Sequence, residues 1–170
     1  MVKLPNRLLA AASFVDRGAL IADVGTDHGF LPLYLLKNGT AEYAYLIEKN
    51  RGPLKRAREN TEKYGMSDRT ALILSDGLTG LPEYREKEKL PHGFPDTVIM
   101  TGMGGPLILK IIDETPEEIR EGVRCWILSP QSLIEDFREG LRERNMEILQ
   151  EIKESDRGKN YIIMKVRGML

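Results

Sequence analysis

The chain has 170 residues, a length that supports one domain with a sizeable hydrophobic core and is short for two. Its formal net charge of −1 excludes a surface that is basic throughout, so any contact with nucleic acid depends on a local patch. A single cysteine excludes an internal disulfide, and no apolar run reaches membrane-spanning length. We therefore expect one cytoplasmic domain spanning residues 1–170, with no membrane contact.

Hydrophobic periodicity predicts helices and strands that alternate along the chain. In chain order, the expected elements are a helix over 5–15, a strand over 19–24, a helix over 30–38, a strand over 41–47, a helix over 53–64, a strand over 70–75, a loop or short exposed helix over 83–95, a strand over 96–100, a helix from 104, a strand over 125–128, and strands over 146–153 and 161–166. A capping-box pattern, Ser132-x-x-Glu135, predicts one more helix after the fifth strand.

This order of elements predicts an α/β fold. Strands that alternate with helices form a mostly parallel sheet with helices on both faces. The last two strands have no helix between them, so we expect them to end the seven-stranded sheet as an antiparallel hairpin.

Acidic residues and glycines follow four of the expected strands. These positions share the edge at which an open α/β sheet binds its ligand. The four segments are Asp23-Val24-Gly25-Thr26-Asp27-His28-Gly29, Glu48-Lys49, Asp76-Gly77 and Thr101-Gly102-Met103. Each alone fits a helix cap or a turn. The four together favour a nucleoside cofactor, with Glu48 on the ribose hydroxyls and Asp76 on the adenine.

The first segment has the spacing D-x-G-x-x-x-G, in which glycine lets a ligand lie close to the backbone. This is not the G-x-G-x-x-G spacing of a dinucleotide site. It resembles the first motif of S-adenosylmethionine-dependent methyltransferases, with Asp27 in place of the middle glycine. Five parallel strands followed by a hairpin are also the layout of the Rossmann-like class I methyltransferases.

Two longer segments make the resemblance more specific. Thr-Asp-His-Gly-Phe-Leu-Pro at 26–32 and Thr-Gly-Met-Gly-Gly at 101–105 resemble the matching loops of a bacterial family of tRNA (adenine-22-N1)-methyltransferases. The resemblance extends from Leu8 to Val166 and implies S-adenosylmethionine as cofactor and tRNA as partner. The cofactor-binding residues that we expect are Asp23, Gly25, Asp27, His28, Gly29, Glu48, Lys49, Asp76, Gly77, Thr101, Gly102 and Met103.

The sequence departs from this family's pattern at two points. Family members usually continue into a C-terminal helical extension that grips tRNA, whereas this sequence stops at Leu170. Family members also commonly carry Gln-Pro-Asn after the fifth strand, where this chain has Ser129-Pro130-Gln131. Both differences bear on the substrate more than on methyl transfer.

Asp27 and His28 are the expected catalytic residues. Adenine N1 has a free lone pair and attacks a methyl group without first losing a proton, so the protein mainly positions the base. Methylation leaves a positive charge on the base that the Asp27 carboxylate would stabilise. His28 would bind the base or move a proton, and Phe30 would stack on it. The alternatives are that Asp27 binds only cofactor or caps the helix, and that His28 is structural.

A basic run offers one route for tRNA to the site. It consists of Lys49, Arg51, Lys55, Arg56 and Arg58, with Lys3, Arg7 and Arg17 adding charge near the N-terminus. These side chains would neutralise phosphates. For the helix, we favour the alternative that the run is a solvated face balanced by nearby glutamates.

Other functions remain open at this point. One is methylation of a small molecule or a protein, with the N-terminal helix and residues 83–95 as a lid. Another is a nucleotide-binding module without activity, which the three strand-end carboxylates argue against. A dehydrogenase module is disfavoured by the glycine spacing and the terminal hairpin. The sequence indicates no metal site and no particular oligomeric state.

Overall fold

A computed structural model describes residues 2–168, which form one mixed sheet of seven strands with helices on both sides. The strands are β1 (Ala19–Val24), β2 (Ala41–Glu48), β3 (Thr70–Leu74), β4 (Thr97–Met103), β5 (Cys125–Pro130), β6 (Glu147–Asp156) and β7 (Lys159–Arg167). Their order across the sheet is β3-β2-β1-β4-β5-β7-β6. The first five are parallel, and β7 is antiparallel to both β5 and β6. The predicted fold is therefore confirmed.

Helices connect most of the strands. They are α1 (Asn6–Ser13), α2 (Phe30–Lys37), α3 (Arg51–Lys63), α4 (Leu81–Glu88), α5 (Gly105–Glu114), α6 (Glu117–Arg120) and α7 (Ile134–Glu143). A short 3-10 helix over Ser67–Arg69 precedes β3. No helix in the described range of 2–168 is long and apolar enough to cross a membrane.

Alternate residues of the central strands supply two separate cores. On β2, Tyr45 and Ile47 pack with α4, α5 and α7 on one face, while Ala44 and Leu46 pack with α1, α2 and α3 on the other. Successive side chains of a strand point to opposite faces, so a strand covered on both faces is apolar throughout. Burial on both sides fixes the register of the strands and hence the positions of their carboxyl ends.

The predicted capping box at Ser132 is wrong. Helix α7 begins at Ile134 after Leu133, which has a φ of +52°, and no side chain caps its first turn. The Ser132 carbonyl instead accepts the N–H of Gly105 at 3.3 Å, which ties this loop to the start of α5. A tertiary contact has replaced the local one that the sequence pattern predicts.

Two other segments differ from the expectations. Helix α4 begins earlier than the predicted segment 83–95, because Leu81 is completely buried and anchors its first turn. The strands of the hairpin are longer than expected and leave only Arg157 and Gly158 as the turn. The short helix α6 is absent from the predicted elements.

The hairpin turn lies at the same edge of the sheet as the carboxyl ends of the parallel strands. β7 runs antiparallel to β5, and their register pairs Leu128 with Met164 and Trp126 with Val166. The residues of β7 that precede Met164 therefore lie toward the carboxyl end of β5 and beyond it. This brings the start of β7 beside the loops that carry the predicted site.

Candidate active site

Two adjoining cavities occupy the carboxyl edge of the sheet. The narrow cavity has a volume of about 210 Å³ and is lined by Val24, Gly25, Glu48, Lys49, Ser75, Asp76, Gly77, Thr101, Gly102, Met103, Leu107 and Ile111. The wide cavity has a volume of about 520 Å³ and is lined by Pro5, Arg7, Leu8, Asp23, Gly25, Thr26, Asp27, His28, Phe30, Leu31, Thr101, Gly102 and Gln131. Gly25, Thr101 and Gly102 line both cavities, so the two meet between the loop that follows β1 and the carboxyl-terminal end of β4.

The narrow cavity combines carboxylates with an apolar wall. Glu48 is 7% exposed, and its Oε1 accepts a 3.0 Å hydrogen bond from the backbone N–H of Asn50. Asp76 follows the neighbouring strand β3, and the side chains of Leu107 and Ile111 from α5 complete the lining. A fixed carboxylate suits the hydroxyls of a ribose, and an apolar wall suits the face of a base.

Gly25 allows the closest approach to the backbone where the two cavities meet. Its φ is +75°, a conformation that favours glycine, and a Cβ at this position would lie 2.9 Å from Cε of Met103. Any side chain at residue 25 would therefore need Met103 to move. Without a Cβ on Gly25, a ligand has room to extend past the backbone from one cavity into the other.

Asp23 is a buried carboxyl in the wall of the wide cavity. Burial raises the pKa of Asp23 from 3.8 to about 7, while a hydrogen bond from Thr26 opposes the rise and the nearby Glu48 adds to it. A carboxyl with this pKa changes charge near neutral pH. Such a strongly perturbed group in a cleft is a typical feature of a functional site.

Asp27 and His28 lie together in the lining of the wide cavity. Asp27 has a φ of +52°, and its Oδ1 lies 3.7 Å from Nε2 of His28 and 3.7 Å from an Nη of Arg56. The His28 ring is stacked on Phe30, with ring centroids 5.6 Å apart and planes 5° from parallel. The His28 carbonyl accepts a 2.9 Å hydrogen bond from Asn60 of α3, which holds the loop in place.

The structure brings all but one of the predicted cofactor residues to these two cavities. The exception is Gly29, which lines neither of them. A Cβ on Gly29 would lie 2.9 Å from Cδ2 of Leu46 and 3.4 Å from Cβ of Ala57. The absence of a side chain at Gly29 therefore allows the loop to pack closely on β2 and α3, which the motif spacing does not reveal.

Gln131 is a site residue absent from the sequence prediction. Its backbone N–H donates a 3.0 Å hydrogen bond to the carbonyl of Met103, and its side chain lines the wide cavity near Gly102. Pro5, Arg7 and Leu8 also line this cavity. Gln131 follows β5 at the carboxyl edge of the sheet. Its position directly after a parallel strand could have predicted it as a site residue.

The segment 83–95, which includes most of α4, does not form the lid considered above. The hydroxyl of Tyr45 donates a 2.5 Å hydrogen bond to the carbonyl of Gly93, and the ring of His92 packs on Tyr43 with centroids 4.4 Å apart. These contacts hold the segment against β2. Residues 83–95 line neither of the two cavities.

Comparisons with known proteins agree with this geometry. A family model described as a methyltransferase domain matches residues 4–164. A tRNA (adenine(22)-N(1))-methyltransferase from Bacillus subtilis is 30% identical over 163 residues, which are 96% of this chain and 64% of that relative. The chain thus spans just under two thirds of the length of this curated relative.

Two solved structures are similar over nearly the whole chain. A Streptococcus pneumoniae protein, a putative tRNA (m1A22) methyltransferase in complex with S-adenosyl-L-methionine, has a TM-score of 0.87 and 30% identity, covering 98% of this chain and 74% of that one. The M. capricolum TrmK in complex with S-adenosyl-homocysteine has a TM-score of 0.83 and 27% identity, covering 97% and 69%. Both relatives were therefore solved with the same type of cofactor or its product.

Proposed function

We propose that this chain, which belongs to the tRNA (adenine-22-N1)-methyltransferase family of class I S-adenosylmethionine-dependent methyltransferases, methylates N1 of an adenine in tRNA. The observation that carries the proposal is the meeting of the two cavities at Gly25 and Gly102. One cavity has the lining of a nucleoside site, and the other has room for a base beside Asp27 and His28. A tRNA substrate also implies a cytoplasmic protein.

The narrow cavity holds the nucleoside of the cofactor in this proposal. Glu48 would accept hydrogen bonds from the ribose hydroxyls, and Asp76 would bind the adenine amino group. Asp23 and Gly25, which line the wide cavity, would hold the part of the cofactor that reaches it. When bound, S-adenosylmethionine supplies an electrophilic methyl group on a sulfonium, with a neutral thioether as the leaving group.

The wide cavity receives the target base. His28 and Phe30 line it with stacked rings, and Gln131 lines it with an amide for the edge of a base. Adenine N1 attacks through its lone pair, so no residue has to remove a proton first. The Asp27 carboxylate stabilises the positive charge that the base acquires, and the nearby His28 orients that carboxylate.

A methylation assay with two substrates tests the proposal. The purified chain is incubated with isotopically labelled S-adenosylmethionine and a tRNA transcript, and the digested RNA is analysed for 1-methyladenosine by mass spectrometry. The matched control is a transcript in which guanine replaces the adenine at nucleotide 22, the position that the family methylates. Incorporation of label as 1-methyladenosine supports the proposal, and loss of label in the control assigns the nucleotide. Cofactor binding without label in tRNA would contradict it.

A further inference from the structure

We propose that the RNA strand that carries the target adenine lies on a basic surface formed by the β6–β7 hairpin and the N-terminal segment. We call it the hairpin surface, and its cations are Lys3, Arg7, Lys153, Arg157 and Lys159. The inference rests on the proposed function, because it identifies the surface by which the same site takes its RNA.

Two further cavities lead away from the wide cavity onto this surface. One, of about 620 Å³, is lined by Pro130, Gln131, Ile134, Lys153, Lys159, Asn160, Tyr161 and Ile162. The other, of about 590 Å³, is lined by Lys3, Leu4, Pro5, Arg7, Asp156, Arg157, Lys159 and Tyr161. The first shares Gln131 with the wide cavity, and the second shares Pro5 and Arg7 with it. Lys159 and Tyr161 line both, so the concave surface is continuous.

The charge of this surface complements a phosphate backbone. Among residues 2–168, Asp156 is the one carboxylate that lines the two cavities, against five cationic side chains. Asp156 lies 3.6 Å from Nε of Arg7, and the three lysines of the surface are exposed. An excess of cations in one patch of a chain whose net charge is −1 is an electrostatic asymmetry typical of nucleic-acid binding.

The same surface carries groups that bind nucleosides. The guanidinium of Arg7 lies over the Tyr161 ring, 5.3 Å from its centroid, and both side chains line the second of these cavities. Asn160 and Gln131 add amides that can bond to the edges of bases. Phosphate, stacking and edge contacts together suit single-stranded nucleotides on either side of the target base.

The basic run on α3 is less suited to this role. Nζ of Lys55 lies 3.9 Å from Glu59, and an Nη of Arg56 lies 3.7 Å from Asp27. Nearby carboxylates therefore offset part of its charge. Helix α3 also offers a matched control, because Lys55 and Lys63 are exposed lysines outside the hairpin surface.

The test compares two double variants with the same change of charge. Lys153→Gln with Lys159→Gln alters the hairpin surface, and Lys55→Gln with Lys63→Gln alters α3. Binding of a fluorescently labelled tRNA transcript is measured by anisotropy at several salt concentrations. We expect the hairpin variant to lose about tenfold in affinity or more, and its salt dependence to fall by about 0.7–0.9 for each phosphate contact removed. Affinity for S-adenosylmethionine, measured by calorimetry, stays unchanged in both variants.

The control variant separates a local site from a general effect of charge. An equal loss of tRNA affinity in both variants, or none in the hairpin variant, would overturn the hairpin surface. If the wild-type protein still methylates tRNA in that case, the proposed function stands. The converse result is tRNA binding that depends on the hairpin lysines while the wild-type protein transfers no methyl group. That result would support the hairpin surface and overturn the proposed reaction. Wild-type protein that does not bind tRNA would overturn both.

Discussion

The hydroxyl of Thr26 donates a 2.7 Å hydrogen bond to Oδ2 of Asp23, a residue that is only 4% exposed. Burial disfavours the carboxylate and this hydrogen bond favours it, with burial the stronger effect. The pKa of Asp23 is consequently raised to about 7. The cavity wall therefore contains a group whose charge a cationic ligand can alter on binding.

The affinity for S-adenosylmethionine should depend on pH through Asp23. The sulfonium is positively charged, so the cofactor binds best when Asp23 is ionised. We expect the affinity to rise as pH increases from about 6 to about 7.5, and the rise to disappear in Asp23→Asn. Calorimetric titration at several pH values measures this, with Asp16→Asn as an exposed control. A rise that persists in Asp23→Asn would assign the pH dependence to another group.

The stability of the ligand-free protein should show the opposite trend. The raised pKa means that the folded state keeps the proton of Asp23 up to about pH 7, whereas the unfolded chain releases it near 3.8. The stability associated with this proton is present below about pH 4 and is lost as pH rises through about 7.

Relative to Asp23→Asn, the wild-type free energy of unfolding should therefore fall by about 2 kcal/mol between about pH 5 and about pH 7. Urea unfolding of both proteins at the two pH values measures the difference. Parallel changes in the two proteins would show that Asp23 titrates at its ordinary pKa.

The strand-end residues could be predicted because they depend on topology. Once β1, β2 and β3 are recognised as parallel strands of one sheet, Asp23, Glu48 and Asp76 must lie at its carboxyl edge. Burial on both faces makes these strands apolar and easy to recognise in the sequence. No knowledge of side-chain contacts is needed for that step.

The features that sequence analysis did not reveal depend on contacts between distant segments. Gly29 matches a cofactor motif, and the structure shows in addition that Leu46 and Ala57 pack beside it. Ser132 matches a capping box, but its carbonyl is bound by Gly105 from another loop. The loop after β5 is positioned by that contact, which also brings Gln131 to the cavity.

Removal of the Glu48 carboxylate should weaken cofactor binding. Hydrogen bonds to a charged group contribute about 1.5–3 kcal/mol, so Glu48→Ala should raise the Kd for S-adenosylmethionine about tenfold to a hundredfold. Glu42→Ala, at an exposed position of the same strand, is the control and should leave the Kd unchanged. Calorimetry on both variants measures the effect. An unchanged Kd in Glu48→Ala would rule out the assignment of this residue to the ribose.

A methyl group at Gly25 should have two separable effects. Gly25 has a φ of +75° and Gly39 a φ of +73°, so alanine at either position costs about 1–2 kcal/mol of stability through the backbone. Only at Gly25 does the new Cβ meet another atom, Cε of Met103, at 2.9 Å. Gly25→Ala should therefore also lose cofactor affinity, while Gly39→Ala keeps it. Equal cofactor affinity in the two variants would show that the ligand does not pass Gly25.

Asp27→Asn should slow methyl transfer without weakening cofactor binding. Asparagine tolerates the left-handed backbone at residue 27, so the variant removes the charge and keeps the loop. Stabilisation of a developing charge by one preorganised group typically contributes about a hundredfold to the rate, and we expect kcat to fall by about that factor. Asp27→Ala is the wrong comparison, because alanine adds backbone strain at this φ. Single-turnover methylation of tRNA and calorimetry with S-adenosylmethionine separate the two roles. If Asp27→Asn instead raises the Kd and leaves the single-turnover rate unchanged, Asp27 binds the cofactor and takes no part in the chemistry.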